Sequence, residues 1–207
     1  MTEPFVRPDV RAFLDYVAAQ GRPPLHELEA HAAREIMRIT RQLADADTGD
    51  LAVRRDLTMP GPDGNTIPLR LFDARAERPL PGPVMVFFHG GGFVLGDLDT
   101  HEPVCAEIAR VLDLPVVSVD YRLAPEARFP AAPDDCEAAA RWVATSPEAL
   151  GRKASSLVLA GDSAGGTLTL VTAMALRDEG AQVPVIAMWP IYPSLGRADT
   201  ASFRPAE

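Results

Sequence analysis

A short apolar run, Leu157–Ala160, ends abruptly in Gly161-Asp162-Ser163-Ala164-Gly165-Gly166 and passes at once into a helical pattern. No other stretch restricts the chain as much. A serine between two glycines at a strand-to-helix junction has the form of a nucleophile elbow, a turn too sharp for side chains at its ends. Bulk at Gly161 or Gly165 is expected to collide with the neighbouring strand and helix. Ser163 is then held in a strained conformation, its hydroxyl above the sheet and near the positive end of a helix. By composition alone the pattern G-x-S-x-G arises in roughly one chain in ten or twenty of this length, so its context must carry the argument.

The context is that of a single α/β domain. The 207 residues are long enough for a substantial core, and 47% hydrophobic and 24% charged residues are ordinary for a globular protein. A net charge of -9 argues against a nucleic-acid partner, since phosphate would be repelled. The opening residues show no basic segment followed by an apolar one, so no secretory signal is expected, and no apolar run is long enough to span a bilayer. Cys105 and Cys136 fall in separate predicted helices without metal-ligand spacing, as reduced, buried thiols of a cytoplasmic protein would.

Residues 1–50 read as helices. Val10, Phe13, Leu14 and Val17 form one apolar stripe and Leu28, Ala32, Ile36, Ile39 and Leu43 another, with Gly21, Pro23 and Pro24 between them. Such a pair is too small for its own core and must lie on something else, as a cap or as ordinary packing helices. From Arg54 the period changes to two: Arg54–Met59 and Thr66–Phe72 form a hairpin-like pair with Ile67, Leu69 and Leu71 on one face. Continuous apolar runs follow at Val84–Phe88, Val116–Val119, Leu157–Ala160 and Val183–Trp189, as strands buried on both faces require. Between them lie helical stripes: Val104, Ile108, Val111 and Leu112; then Cys136, Ala139, Ala140 and Val143; then Leu168, Val171 and Ala175. Strands alternating with helices predict a mostly parallel, doubly wound sheet with function at the carboxyl ends of its strands.

At one such end Val84–Phe88 runs into His89-Gly90-Gly91-Gly92-Phe93. Acyl transfer builds charge on a carbonyl oxygen, and backbone N–H groups fixed in advance stabilise it. Three glycines let the backbone approach a substrate. The N–H groups of Gly91 and Gly92, with that of Ala164, are the expected oxyanion donors. Alone the glycine run would be no more than a flexible turn; the serine motif two strands later argues otherwise.

HGGGFVLG (His89–Gly96), DYRLAPEARFPAAPDD (Asp120–Asp135) and GDSAGG (Gly161–Gly166) stand in the order and spacing of the hormone-sensitive-lipase-like esterases, and the chain resembles that family of α/β-hydrolases over essentially its whole length. The resemblance implies an α/β-hydrolase fold with residues 1–50 as an N-terminal helical cap and 51–207 as the core. It further implies hydrolysis of carboxylic esters, commonly with short acyl chains, without metal or organic cofactor. The family nucleophile falls on Ser163 and the oxyanion donors on Gly91, Gly92 and Ala164. His89, with Gly90, is expected to orient the glycine loop, and Asp162 to be structural. Asp120, Arg122 and Glu126 are expected to brace the loop beneath the site, a direct role for Glu126 being the lesser reading. His101 is expected to border the substrate entrance.

The family's catalytic acid and histidine come from later strands, so both are expected outside this chain, whose last two strands would be missing. Val183–Trp189 then becomes an apolar edge strand and Ser194–Glu207 a polar tail. A shortened protein, a polypeptide cleaved in two and a partial chain all give this sequence. Expected partners are a small-molecule ester and either a second copy or a complementing C-terminal chain. A weakly active or inactive ligand-binding protein on the same scaffold is the alternative. The plant gibberellin receptors resemble the family and lack its histidine, but a pure binder has little need for both motifs.

Overall fold

Among the residues described by the computed structural model (5–21, 23–44 and 47–196), six strands build one mixed sheet. They are β1 (Val53–Pro60), β2 (Thr66–Asp73), β3 (Gly82–Phe88), β4 (Val116–Val119), β5 (Ala154–Asp162) and β6 (Val185–Ile191), in the order β1-β2-β4-β3-β5-β6. The hairpin β1–β2 is antiparallel and joins β4 antiparallel, while β4, β3, β5 and β6 run parallel. The helices are α1 (Pro8–Ala19), α2 (Ala30–Ala44), α3 (Glu102–Leu112), α4 (Ala131–Ala144) and α5 (Ala164–Glu179).

The continuous apolar runs are explained by two helical layers. Along β3, Met85 and Phe87 pack with Cys105, Ala106, Ile108 and Ala109 of α3. Val84, Val86 and Phe88 pack on the opposite face with Cys136, Ala139 and Val143 of α4 and Leu168 and Leu176 of α5. With both faces covered, alternation disappears from the sequence.

Two expected stripes are corrected by this packing. In α3 the sheet-facing residues are Cys105, Ala106, Ile108 and Ala109, whereas Val104, Val111 and Leu112 are exposed. Small side chains let the helix approach the sheet closely, and the bulkier residues flank the contact. In α5 the inward residues are Leu168, Thr169, Thr172 and Leu176, and Val171 turns out into a cleft. The stripe of α4 is buried as expected. β6 forms a sheet edge, with Ile186, Met188 and Trp189 exposed.

The stripe Val10, Phe13, Leu14 and Val17 of α1 is not buried among the described residues, and in α2 only Ala33 is fully buried. Polar bonds attach α2 to the core instead. Arg34 donates to the carbonyls of Val94 (2.7 Å) and Ala124 (2.8 Å) and to Glu126, and Arg38 pairs with Asp97 at 2.7 Å. The side chain of Leu43 and the end of the polar tail, 197–207, lie outside the described residues.

Beside this junction sits Asp120, at the carboxyl end of β4. Burial, reinforced by the nearby carboxylates Asp97 and Asp99 against the cations Arg38 and Arg70, pushes its pKa up to about 6. The folded state therefore resists ionising it, and this residue's contribution to stability falls as pH rises from about 4 through 6. Asp120→Asn is expected to raise stability at pH 7 by up to about 3 kcal/mol, the shift converted at about 1.4 kcal/mol per unit. Denaturant melts at pH 7 and pH 4 check this: the gain should be present at the first and gone at the second.

Candidate active site

The sheet order reverses at β3. The chain leaves β3 for β4 on one side, then crosses to β5 on the other, and a crevice opens at the carboxyl ends of β3 and β5. Phe88 and Gly161 are paired in register, so the glycine loop after β3 lies beside the serine turn after β5. Ser163 has φ 52° and ψ -115°, the strained backbone that the motif leads one to expect. Its N–H donates to the carbonyl of Ile191 (2.9 Å), and its carbonyl accepts from Thr167 (3.0 Å), so the turn is tied to β6 and α5. A Cβ on Gly165 would overlap the Phe88 carbonyl oxygen and come within 2.7 Å of the His89 oxygen. One on Gly161 would meet the Phe88 and Gly165 carbonyls. The glycines are there because β3, β5 and α5 approach at backbone distance.

Ala164 opens α5, where the first N–H groups have no intrahelical acceptor. Among the described residues, no protein acceptor takes the N–H of Gly91, Gly92 or Ala164. Gly91 and Gly92 have φ of 124° and 63°, and the loop closes through bonds from Val94 and Leu95 back to the Gly91 carbonyl (3.1 and 2.8 Å). Adjoining it is a cleft of about 380 Å³, lined by Gly92, Phe93, Ala127, Phe129, Leu168 and Val171 among others. Its walls are mainly apolar, as ligand sites generally are.

His89 is fully buried, stacked on Tyr121 with ring centroids 4.3 Å apart, and its Nδ1 lies 2.8 Å from the Gly90 carbonyl. That carbonyl can only accept, which assigns the proton to Nδ1 and leaves Nε2 without a partner. Burial lowers the His89 pKa to about 4, so the ring is neutral at ordinary pH. It opposes Asp120 in its pH effect: the His89 contribution to stability falls as pH drops from about 6.5 through 4. Tyr121 donates to the His89 carbonyl at 2.7 Å, a buttress that the sequence reading missed.

Asp162 accepts from the Gly90 N–H at 2.9 Å and pairs with His101 at 3.3 Å. Burial alone would raise its pKa, but the bonds from His101 and Gly90 outweigh that and hold it below the ordinary value. His101 was expected at the substrate entrance; instead it is turned inward beneath the glycine loop. The expected brace of Asp120, Arg122 and Glu126 is also corrected. Arg122 binds the buried Asp135 and Asp63, Glu126 is held by Arg34, and Asp120 bonds to neither. The three residues diverge because they lie in the irregular segment after β4, where neighbours in sequence need not share a face. Arg34, whose pairing lowers the Glu126 pKa to about 2, could not be found from sequence, since its partners are 60 and more residues away.

No described histidine meets the Ser163 hydroxyl: His26 and His31 are exposed, and His89 and His101 are engaged below the loop. Among the described residues there is no cluster of metal-ligating side chains, and no helix is long and apolar enough to cross a membrane. The free cysteines Cys105 and Cys136 are both buried.

Comparison with known proteins agrees with this architecture. Residues 85–207 match a family described as having the alpha/beta hydrolase fold. The chain is 40% identical over 205 residues to carboxylesterase NlhH of Mycobacterium tuberculosis, covering 94% of this chain and 60% of that protein. It is 39% identical over 177 residues to ethyl acetate hydrolase of Pseudomonas putida, covering 83% and 55%. Among solved structures, an esterase of Pyrobaculum calidifontis superposes with a TM-score of 0.80 at 37% identity, over 92% of this chain and 59% of that one. An ester hydrolase from the Lake Arreo metagenome gives 0.84 at 35%, over 96% and 64%. The chain thus spans less than two thirds of the length of each of these relatives. By its family match and its fold, the chain belongs to the α/β-hydrolases, in the hormone-sensitive-lipase-like group of esterases that its motifs resemble.

Proposed function

We propose that the protein is a serine carboxylic ester hydrolase acting on small, short-acyl esters. One observation carries the reading: Ser163 is held at left-handed φ at the start of α5, beside a glycine loop in which the Gly91 and Gly92 N–H groups meet no acceptor among the described residues. In this role Ser163 Oγ attacks the ester carbonyl carbon and its proton passes to a base. The N–H groups of Gly91, Gly92 and Ala164 hold the oxyanion while the C–O bond to the alcohol breaks. The departing alkoxide takes the proton, and water then attacks the acyl-enzyme to release the acid. The apolar cleft beside Gly92 and Phe93 suits the substrate's hydrocarbon part.

The histidine base and its acid belong, in this reading, to polypeptide outside these 207 residues, continuous with them or supplied by a complementing C-terminal chain. Residues 1–50 serve as a cap over a core formed by residues 51–207. Two buried, unpaired cysteines suit a reducing, cytoplasmic compartment. The absence of a histidine at Ser163 among the described residues favours one other reading, a ligand-binding protein on this scaffold.

A p-nitrophenyl ester series from acetate to decanoate separates the two. The expected result is weak nitrophenol release, fastest with acetate or butyrate and abolished in Ser163→Ala, since a serine without its base is a poor nucleophile. Ester binding that survives Ser163→Ala, with no release above that variant in the wild type, would favour the binding protein.

A further inference from the structure

Gly90 is the fixed point of the glycine loop. Its carbonyl is held by His89 and its N–H by Asp162. A Cβ at Gly90 would overlap the Asp162 carboxylate, with Cγ at 2.9 Å, so the loop rests directly on that side chain. Wherever the carboxylate sits, Gly91 and Gly92 follow.

His101 fixes the carboxylate. Its Nε2 lies 3.3 Å from Asp162 Oδ1 and 3.3 Å from the Gly90 nitrogen. Gly90 has a better acceptor in Asp162 at 2.9 Å, and Oδ1 can only accept, so both N–H groups converge on that oxygen. The proton is thereby assigned to Nε2. On the other side of the ring, the unprotonated Nδ1 lies 3.1 Å from the Thr100 hydroxyl, whose single proton it shares with the Asp97 carbonyl at 3.0 Å. Thr100 is itself locked to Asp97 by two 2.8 Å bonds, and Asp97 binds Arg38 of α2. The imidazole is therefore held at Nε2 by Asp162 and flanked at Nδ1 by Thr100, and it cannot turn away without giving up the bond to Asp162.

We propose that His101 is a positioning residue for the ester hydrolysis argued above, acting through Asp162 to aim the Gly91 and Gly92 N–H groups at the oxyanion. It does not touch substrate. The inference rests on Ser163 being the nucleophile.

The test compares the rate of Ser163 modification by a small fluorophosphonate in wild type, His101→Leu, His101→Gln, Asp162→Asn and the His101→Leu/Asp162→Asn pair, corrected for folded fraction. Complete loss of one oxyanion donor costs about 10²–10³-fold. Misaiming is expected to cost about 10–10²-fold in the maximal rate for His101→Leu, with half-saturating reagent concentration unchanged. Gln places an amide N–H near the Nε2 position and should recover most of the rate. His101→Leu should add little in the Asp162→Asn background, since the two act in series. The Gly90 amide resonance should move in His101→Leu and return in His101→Gln. A wild-type rate in folded His101→Leu overturns the inference while leaving the nucleophile in place. So does loss of rate in that variant that Gln does not restore, or full additivity with Asp162→Asn. If wild type takes no label at Ser163, the nucleophile assignment fails and this inference fails with it.

Discussion

Replacing Gly165 by alanine is expected to prevent the elbow from forming. The added Cβ overlaps a backbone carbonyl of β3, not the end of a flexible side chain, and Phe88 is locked in register with β4 and β5. Relief requires α5 to withdraw from the sheet, which uncovers Leu168 and Leu176 as well as the serine turn. Overpacking in a tight core costs about 1–3 kcal/mol where neighbours can shift. With backbone on both sides the loss should lie at or beyond the upper end of that range, a large fraction of the roughly 5–15 kcal/mol that holds an ordinary domain folded. Gly82→Ala is the matched control, since nothing lies near its Cβ position and its φ is unremarkable. Denaturant melts of the two variants are the check. A Gly165→Ala protein as stable as Gly82→Ala would mean that the close approach of α5 and β3 is not real.

The second large effect separates stability from chemistry. Ser163→Gly should stabilise the protein while abolishing its reactivity. The serine occupies φ 52°, ψ -115°, a region that costs a side-chain-bearing residue about 1–3 kcal/mol and glycine much less. Glycine also loses more entropy on folding, which returns roughly 1 kcal/mol. The net gain expected is therefore about 1 kcal/mol in thermal or denaturant melts, with nitrophenol release lost entirely. Ser163→Ala should lose the reaction equally but gain no stability, because alanine keeps the Cβ. If Ser163→Gly is destabilised, strain is not what the turn stores.

These effects were legible in the sequence where the constraint was local. G-x-S-x-G demanded a sharp turn between a buried strand and a helix, and the turn is there, with the glycines at the points of backbone contact. The runs at β3, β4 and β5 could be read because strands buried on both faces leave unbroken apolar stretches. What could not be read was which side chains meet across the fold. His101 looked like a helix-opening residue, and only the β3–β5 register brings it to Asp162. Asp120, Arg122 and Glu126 looked like a unit because they are neighbours in sequence, yet they answer to different elements. The stripe of α3 was displaced because large residues signal a buried face in sequence, whereas closeness to the sheet selected cysteine and alanine.

Denaturing intact-mass spectrometry before and after exposure to a fluorophosphonate tests the central claim most directly. One adduct per chain is predicted, mapped by peptide sequencing to Ser163 and absent from both Ser163→Ala and protein unfolded before exposure. No adduct on the folded chain, or one that persists in Ser163→Ala, would contradict the assignment of Ser163 as the nucleophile.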